Sequence, residues 1–190
     1  VIGHDLAAAV EDISLTANVG AKGFAFDQAT PLGRIVIGDG NAQTFDSSKG
    51  PVALIVDFGG DDTYLGAPGA NASPDNGVSV VIDLGGTDDY GYVPVPVASD
   101  MGPMGSHRLP SDGAGRAASS ATSGPFSQSR VSRQGAGRLG IGVLFDLGTA
   151  NDHYHALRMS QGYGALGIGV LFDEGGDDVY EGEAAVQGAA

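Results

Sequence analysis

A chain of 190 residues suits one domain, and 23 acidic against 9 basic side chains give it a net charge of −14. That balance argues against nucleic acid and anionic membrane surfaces as partners and favours multivalent cations. It holds no cysteine, so disulfides, thiolate metal sites and thiol nucleophiles are excluded.

Residues 1–22 read as a helical cap. In "HDLAAAVEDISLTANVG" Leu6, Val10, Ile13 and Ala17 share one helical face, Asp5 can serve as N-cap, and Gly20 follows the end. Such a helix would cover the open edge of whatever sheet follows.

From residue 23 to 90 the chain writes short apolar, β-branched runs, Val52–Val56 and Val78–Ile82, each followed by a glycine-rich acidic turn, "FGGDDTYLG" and "LGGTDDYGY". A fainter copy, "IVIGDGNAQTF", precedes them with Phe45 in the tyrosine slot. Residues 91–133 form an insertion rich in Gly, Pro, Ser and Ala, read as a long loop. The pattern resumes over 134–190 with Ile141–Phe145 and Ile168–Phe172, and the turns "LGTANDHYH" and "EGGDDVYEG".

The spacing sets the architecture. Tyr64 to Tyr90 is 26 residues, as is Tyr154 to Tyr180, and Gln134, Gln161 and Gln187 each precede a glycine at 27 and 26. A repeat of this length is too short for a propeller blade and suits one turn of a stacked array. Connections such as "LGAPGANASPDNG" cannot supply the helical crossover of a βαβ unit. The expected fold is all-β: a parallel β-solenoid, or β-helix, with about 26 residues per coil, a short N-terminal helical cap and one long loop insertion.

Stacked coils turn the acidic turns into ladders. One ladder holds Asp57, Asp83, Asp146 and Asp173. A second holds Asp61, Asp88, Asn151 and Asp177, and a third holds Asp62, Asp89, Asp152 and Asp178. Like charges about 4.8 Å apart repel by roughly 1 kcal/mol per pair in water and several times that at a protein surface. Protonation, solvation or a bound cation can relieve this. Calcium fits best, because it takes six to eight oxygens in flexible geometry. The expected calcium ligands are Asp57, Asp61, Asp62, Asp83, Asp88, Asp89, Asp173, Asp177 and Asp178; the third turn lacks the glycine pair and is left out. The competing reading is that these aspartates only accept hydrogen bonds from turn N–H groups, above all Asp57, Asp83, Asp146 and Asp173 at the strand ends.

The tyrosines read as a stack of core aromatics, with a sugar-binding strip as the alternative. The glutamines read as an amide ladder between coils. Both faces of each long strand are apolar: Leu54/Val56, Val80/Ile82, Val143/Phe145 and Val170/Phe172 on one, Ile55, Val81, Leu144 and Leu171 on the other. The outward stripe should therefore be covered by the chain or by another subunit. Catalytic candidates are few. Asp152, His153 and His155 in the aberrant turn could serve a carbohydrate-active or carbohydrate-binding β-helix, and "NAS" at Asn71 is a glycosylation sequon.

The glycine–aspartate turns resemble those of RTX-type calcium-binding β-solenoids, although no glycine follows two residues after the pairs Gly59–Gly60 and Gly175–Gly176. The repeat as a whole, fullest in "QGYGALGIGVLFDEGGDDVYEGEAAV", resembles bacterial Gly/Asp-rich proteins with tandem "GVGVLxDxGGDDxYxG…QG" units. The first resemblance implies calcium in the turns and the second a solenoid. The expectation for function is a non-catalytic structural protein, extracellular or at the cell surface. It would self-assemble as a homo-oligomer or polymer, without nucleic acid or a membrane span, with a glycan as the alternative ligand. The start at Val1 reads as a processed or excerpted product.

Overall fold

The β-branched runs that pattern the sequence become parallel strands, and each ends one residue later than the apolar run, on its aspartate. The structure, a computed structural model, describes residues 25–71, 75–92, 116–117, 126–127 and 131–190. The expected helical cap at 1–22 lies outside the described residues, as does most of the 91–133 insertion.

In chain order the strands are β1 (Phe26–Thr30), β2 (Gly33–Ile37), β3 (Thr44–Asp46), β4 (Val52–Asp57), β5 (Thr63–Leu65), β6 (Val78–Asp83), β7 (Asp89–Gly91), β8 (Arg116–Ala117), β9 (Phe126–Ser127), β10 (Gly137–Arg138), β11 (Ile141–Asp146), β12 (His153–His155), β13 (Gly164–Ala165), β14 (Ile168–Asp173) and β15 (Val179–Glu181). A 3₁₀ turn, Ser47–Lys49, follows β3, with the Asp46 side chain accepting from the Ser48 N–H at 2.7 Å. No α-helix occurs among the described residues, and no helix is long and apolar enough to cross a membrane.

The long strands form one six-stranded sheet, β1-β2-β4-β6-β11-β14, and the short strands another, β15-β12-β7-β5-β3. Every pairing in these two sheets is parallel except the β1–β2 hairpin. A rung here means one long strand and the short strand after its acidic turn. The repeat sets the register: Ile55 lies beside Val81, Val81 beside Leu144, and Leu144 beside Leu171. The insertion between residues 92 and 131 does not shift it, since Asp83 still pairs with Asp146. Within it, β8 and β9 pair antiparallel. The wall resumes before residue 134: Arg133 is fully buried, bridges to Ser160 and sets its guanidinium 5.0 Å from the Tyr92 ring centre.

A third strip, the β10–β13 pair with Asn71 bridged to Gly137, leads into the long strands β6, β11 and β14. Its corner is the Gln-Gly pair. Gln134, Gln161 and Gln187 all take φ between 54° and 57°, which an L-residue adopts only when held there. The hold is visible. The Gln134 amide donates to the carbonyls of Tyr90 (2.7 Å) and His155 (3.0 Å), and Gln161 to those of Tyr154 (3.0 Å) and Glu181 (3.0 Å). The expected amide-to-amide ladder is therefore replaced by amides that tie the corner to the opposite wall across two rungs. This serves more buried carbonyls than stacking amides on one another would.

The core lies between the sheets. Ile55, Val81 and Leu144 point inward and meet Phe45, Tyr64, Tyr90 and Tyr154. On the opposite strand face Val56, Ile82 and Val143 are also buried, whereas Phe172 is 47% exposed. Leu54, Val80 and Phe145 on that face are half-buried, so among the described residues the chain covers the outward stripe only in part and leaves its β14 end open.

Candidate functional site

The acidic turns sit where long strands hand over to short ones. Glycine makes the handover possible: Gly60 and Gly86 take φ of 128° and 144°, and a Cβ on Gly86 would lie 1.5 Å from the Gly60 carbonyl oxygen. Only a residue without a side chain lets neighbouring turns stack this closely.

Two interlocked carboxylate rows result. The first is the strand-end row, Asp57–Asp83–Asp146–Asp173, in sheet register as the sequence implies. Asp83, Asp146 and Asp173 each accept on Oδ1 from the N–H two residues ahead, at 2.9, 3.2 and 3.0 Å. Their Oδ2 atoms face the tyrosine stack. Tyr64 donates to Asp83 (2.6 Å), Tyr154 to Asp146 (2.8 Å) and Tyr180 to Asp173 (2.6 Å). Tyr90 lies between Asp83 (3.0 Å) and Asp146 (2.9 Å).

The second row corrects the sequence alignment. It is Asp62–Asp88–Asp152–Asp178, each carboxylate accepting from the backbone N–H of its counterpart one rung earlier: Asp62 N–H to Asp88 (2.6 Å), Asp88 N–H to Asp152 (2.7 Å), Asp152 N–H to Asp178 (2.9 Å). Asp88 therefore belongs with Asp62, not Asp61, and Asp89 leaves the column to lie beside Thr63 and His153. Alignment by the acidic pair slips the second turn by one residue; alignment by tyrosine places it correctly. Asp61 and Asp177 stand on the exposed rim, where Asp61 accepts from Thr87 N–H (3.0 Å) and Asn151 from Asp177 N–H (2.9 Å).

Burial decides the electrostatics. Asp57, Asp83 and Asp146 are fully buried, and Asp62, Asp88 and Asp152 nearly so. Both oxygens of Asp57 and the Oδ2 atoms of Asp62, Asp88 and Asp152 lack hydrogen-bond partners. Loss of water, with the Asp62 and Asp83 carboxylates beside it, pushes Asp57 up to about 10. Burial and the Asp83 charge push Asp88 to about 9. Burial leads again at Asp152, at about 7, and Asp146, at about 6, with neighbouring carboxylates adding to it. Asp62 and Asp178 are raised for the same leading reason. The column must shed charge, and it can do so by holding protons or by holding cations. Three triads are close enough to share an ion: Asp57–Asp62–Asp83, Asp83–Asp88–Asp146 and Asp152–Asp173–Asp178. The third turn, discounted from sequence, thus supplies Asp146 and Asp152 to two of them.

The tyrosines behave as core. Phe45, Tyr64, Tyr90, Tyr154 and Tyr180 stack with ring centres 4.8, 4.5, 4.6 and 4.6 Å apart. With Tyr64, Tyr90 and Tyr154 at most 2% exposed, their faces are closed to a sugar. What sequence reading missed is their second role as hydroxyl donors to the aspartates. Part of the signal was present: Asp83 to Tyr90 and Asp173 to Tyr180 are each seven residues, whereas Tyr64 reaches forward to Asp83 on the next rung and leaves Asp57 without a hydroxyl donor.

The proposed catalytic turn divides. Asp152 joins Asp173 and Asp178 inside the column, while His153 and His155 join Asp89. The sequon asparagine is also occupied: Asn71 is fully buried, its amide donating to the Asn76 carbonyl and its Oδ1 accepting from Arg138 N–H at 3.0 Å. A glycan cannot be attached there in the folded chain. No family model matches the chain, and no curated protein and no solved structure matches it.

Proposed function

We infer that this chain is a non-catalytic structural module, a parallel β-solenoid winding about 26 residues per coil. Its interior carboxylate column is neutralised by calcium where calcium is abundant, which suits an extracellular or cell-surface site. One observation carries the reading: buried carboxylates repeat in register from rung to rung, with oxygens that no protein donor satisfies. A catalytic cleft needs one such constellation, whereas a stiff array needs the same one at every level. Hard oxygen donors favour calcium over imidazole- or thiolate-seeking metals.

Assembly follows from the edges. β14 and β15 each end their sheet, and Ile168, Phe172 and Tyr180 stand exposed there, continuing the stacks beneath them. A second copy pairing along these edges would extend both sheets and cover the apolar side chains left open there. Melting and sedimentation at pH 8, with millimolar calcium and with EDTA, test the reading. Calcium should raise the melting temperature by roughly 5 °C or more and shift the chain to heavier species, reversibly. No change in either quantity would overturn it.

A further inference from the structure

A second cluster lies on the outward side of the short-strand sheet, and its donors differ in kind. His153 and His155 are two apart on β12, so both side chains leave the same face. Asp89 on β7 pairs with His153, and Glu181 on β15 pairs with His155. Three adjacent strands thus deliver two imidazoles and two carboxylates to one patch.

We propose that Asp89, His153 and His155 form a binding site for a zinc-class transition metal, with Glu181 as its orienting partner. The distances assign the roles. Asp89 Oδ1 lies 3.3 Å from His153 Nδ1 and 3.2 Å from His155 Nε2. Ligands about 2.0–2.1 Å from a tetrahedral zinc are separated by roughly 3.3 Å, the spacing of both Asp89–histidine pairs. The other nitrogen of His153, Nε2, lies 3.4 Å from Glu181 Oε2. A carboxylate there holds the proton on Nε2 and leaves the Nδ1 lone pair facing Asp89, the arrangement that commonly orients a metal-bound histidine.

A second observation points the same way. Asp89 Oδ1 is enclosed between the two rings, with one nitrogen of each within 3.3 Å and no other donor in reach. The two rings lie nearly parallel, 4.8 Å apart and 18° between planes, so a bound ion asks them to turn about χ2. His153, with its side chain 44% exposed, has room to do so. Three protein ligands leave a fourth position for water. Imidazole donors select zinc, cobalt, nickel or copper over calcium, so this site is chemically independent of the interior column.

The test is titration of the untagged chain with cobalt(II), read by the visible absorption of the tetrahedral ion, followed by displacement with zinc. One equivalent should bind. His155→Ala should weaken binding by at least tenfold, as should His153→Val, which installs the residue found at the same register position in Val179. Glu181→Gln should cost about tenfold by releasing the tautomer. His4→Ala with His107→Ala should cost nothing. A variant that does not fold is replaced by proton spectra of the wild-type histidine rings. Zinc should then shift two of the four ring signals and leave two. The proposal is overturned by no stoichiometric uptake, by unchanged affinity in folded His153→Val, or by zinc shifting none or all of the rings.

Discussion

The chain contains the hexapeptide Ile-Gly-Val-Leu-Phe-Asp twice, as β11 and as β14, in two different environments. In β11 Leu144 is fully buried, Val143 1% exposed and Asp146 fully buried. In β14 Leu171 is only partly buried, and Phe172 is 47% exposed. The strands lie side by side in the same register. What separates them is that β11 has a neighbour on both sides and β14 on one. Core and surface are therefore assigned by position in the stack, and a residue's contribution should depend on its rung more than on its identity.

Paired substitutions sharpen that contrast. The largest gap is expected at the turn glycines. Gly86→Ala sets a Cβ against the Gly60 carbonyl and should cost about 4 kcal/mol, whereas Gly175→Ala, whose Cβ meets nothing within 4 Å, should cost about 1.5, from its φ of 158° alone. Urea unfolding reads both. Next come the inward leucines: Leu144→Ala should lose about 3 kcal/mol and Leu171→Ala about 1, because only the first leaves an enclosed cavity. Smallest is the hydroxyl pair. Tyr90→Phe removes a buried donor shared by Asp83 and Asp146 and should cost about 1.5 kcal/mol, against about 0.3 for Tyr180→Phe at the exposed end. Equal losses within each pair would break the comparison.

The rungs were legible in the sequence because the repeat is written in residues whose conformation is nearly forced. β-branched runs give strands, and Gly-Gly followed by acids gives the turn. Three things were not legible. The acidic pair shifts by one between "GGDDTY" and "GGTDDY", so charge alone misplaced Asp88 and Asp89, and only the register of Tyr64 with Tyr90 settles them. The Gln-Gly corner needs a left-handed glutamine, which no propensity announces. And because both strand faces are apolar, periodicity could not tell the inward row of Ile55, Val81 and Leu144 from the outward one.

The central claim is that the interior carboxylate column sheds its charge to protons or to calcium. Burial raises Asp146, Asp152, Asp88 and Asp57 from 3.8 to about 6, 7, 9 and 10. A carboxyl raised on folding contributes stability that is complete below its unfolded value near 4 and is lost as pH climbs through the folded one. Without metal, melting temperature should therefore fall steadily between pH 5 and pH 9, and Asp88→Asn should flatten the fall while the exposed Asp39→Asn should not. Calcium should restore most of the loss at pH 9 and do nothing at pH 5, where protons hold its ligands. The measurement to make is that melting curve against pH, in EDTA and in calcium. Convergence of the two curves at low pH and divergence at high pH is the predicted result. A calcium-free melting temperature that stays flat or rises with pH would contradict the account.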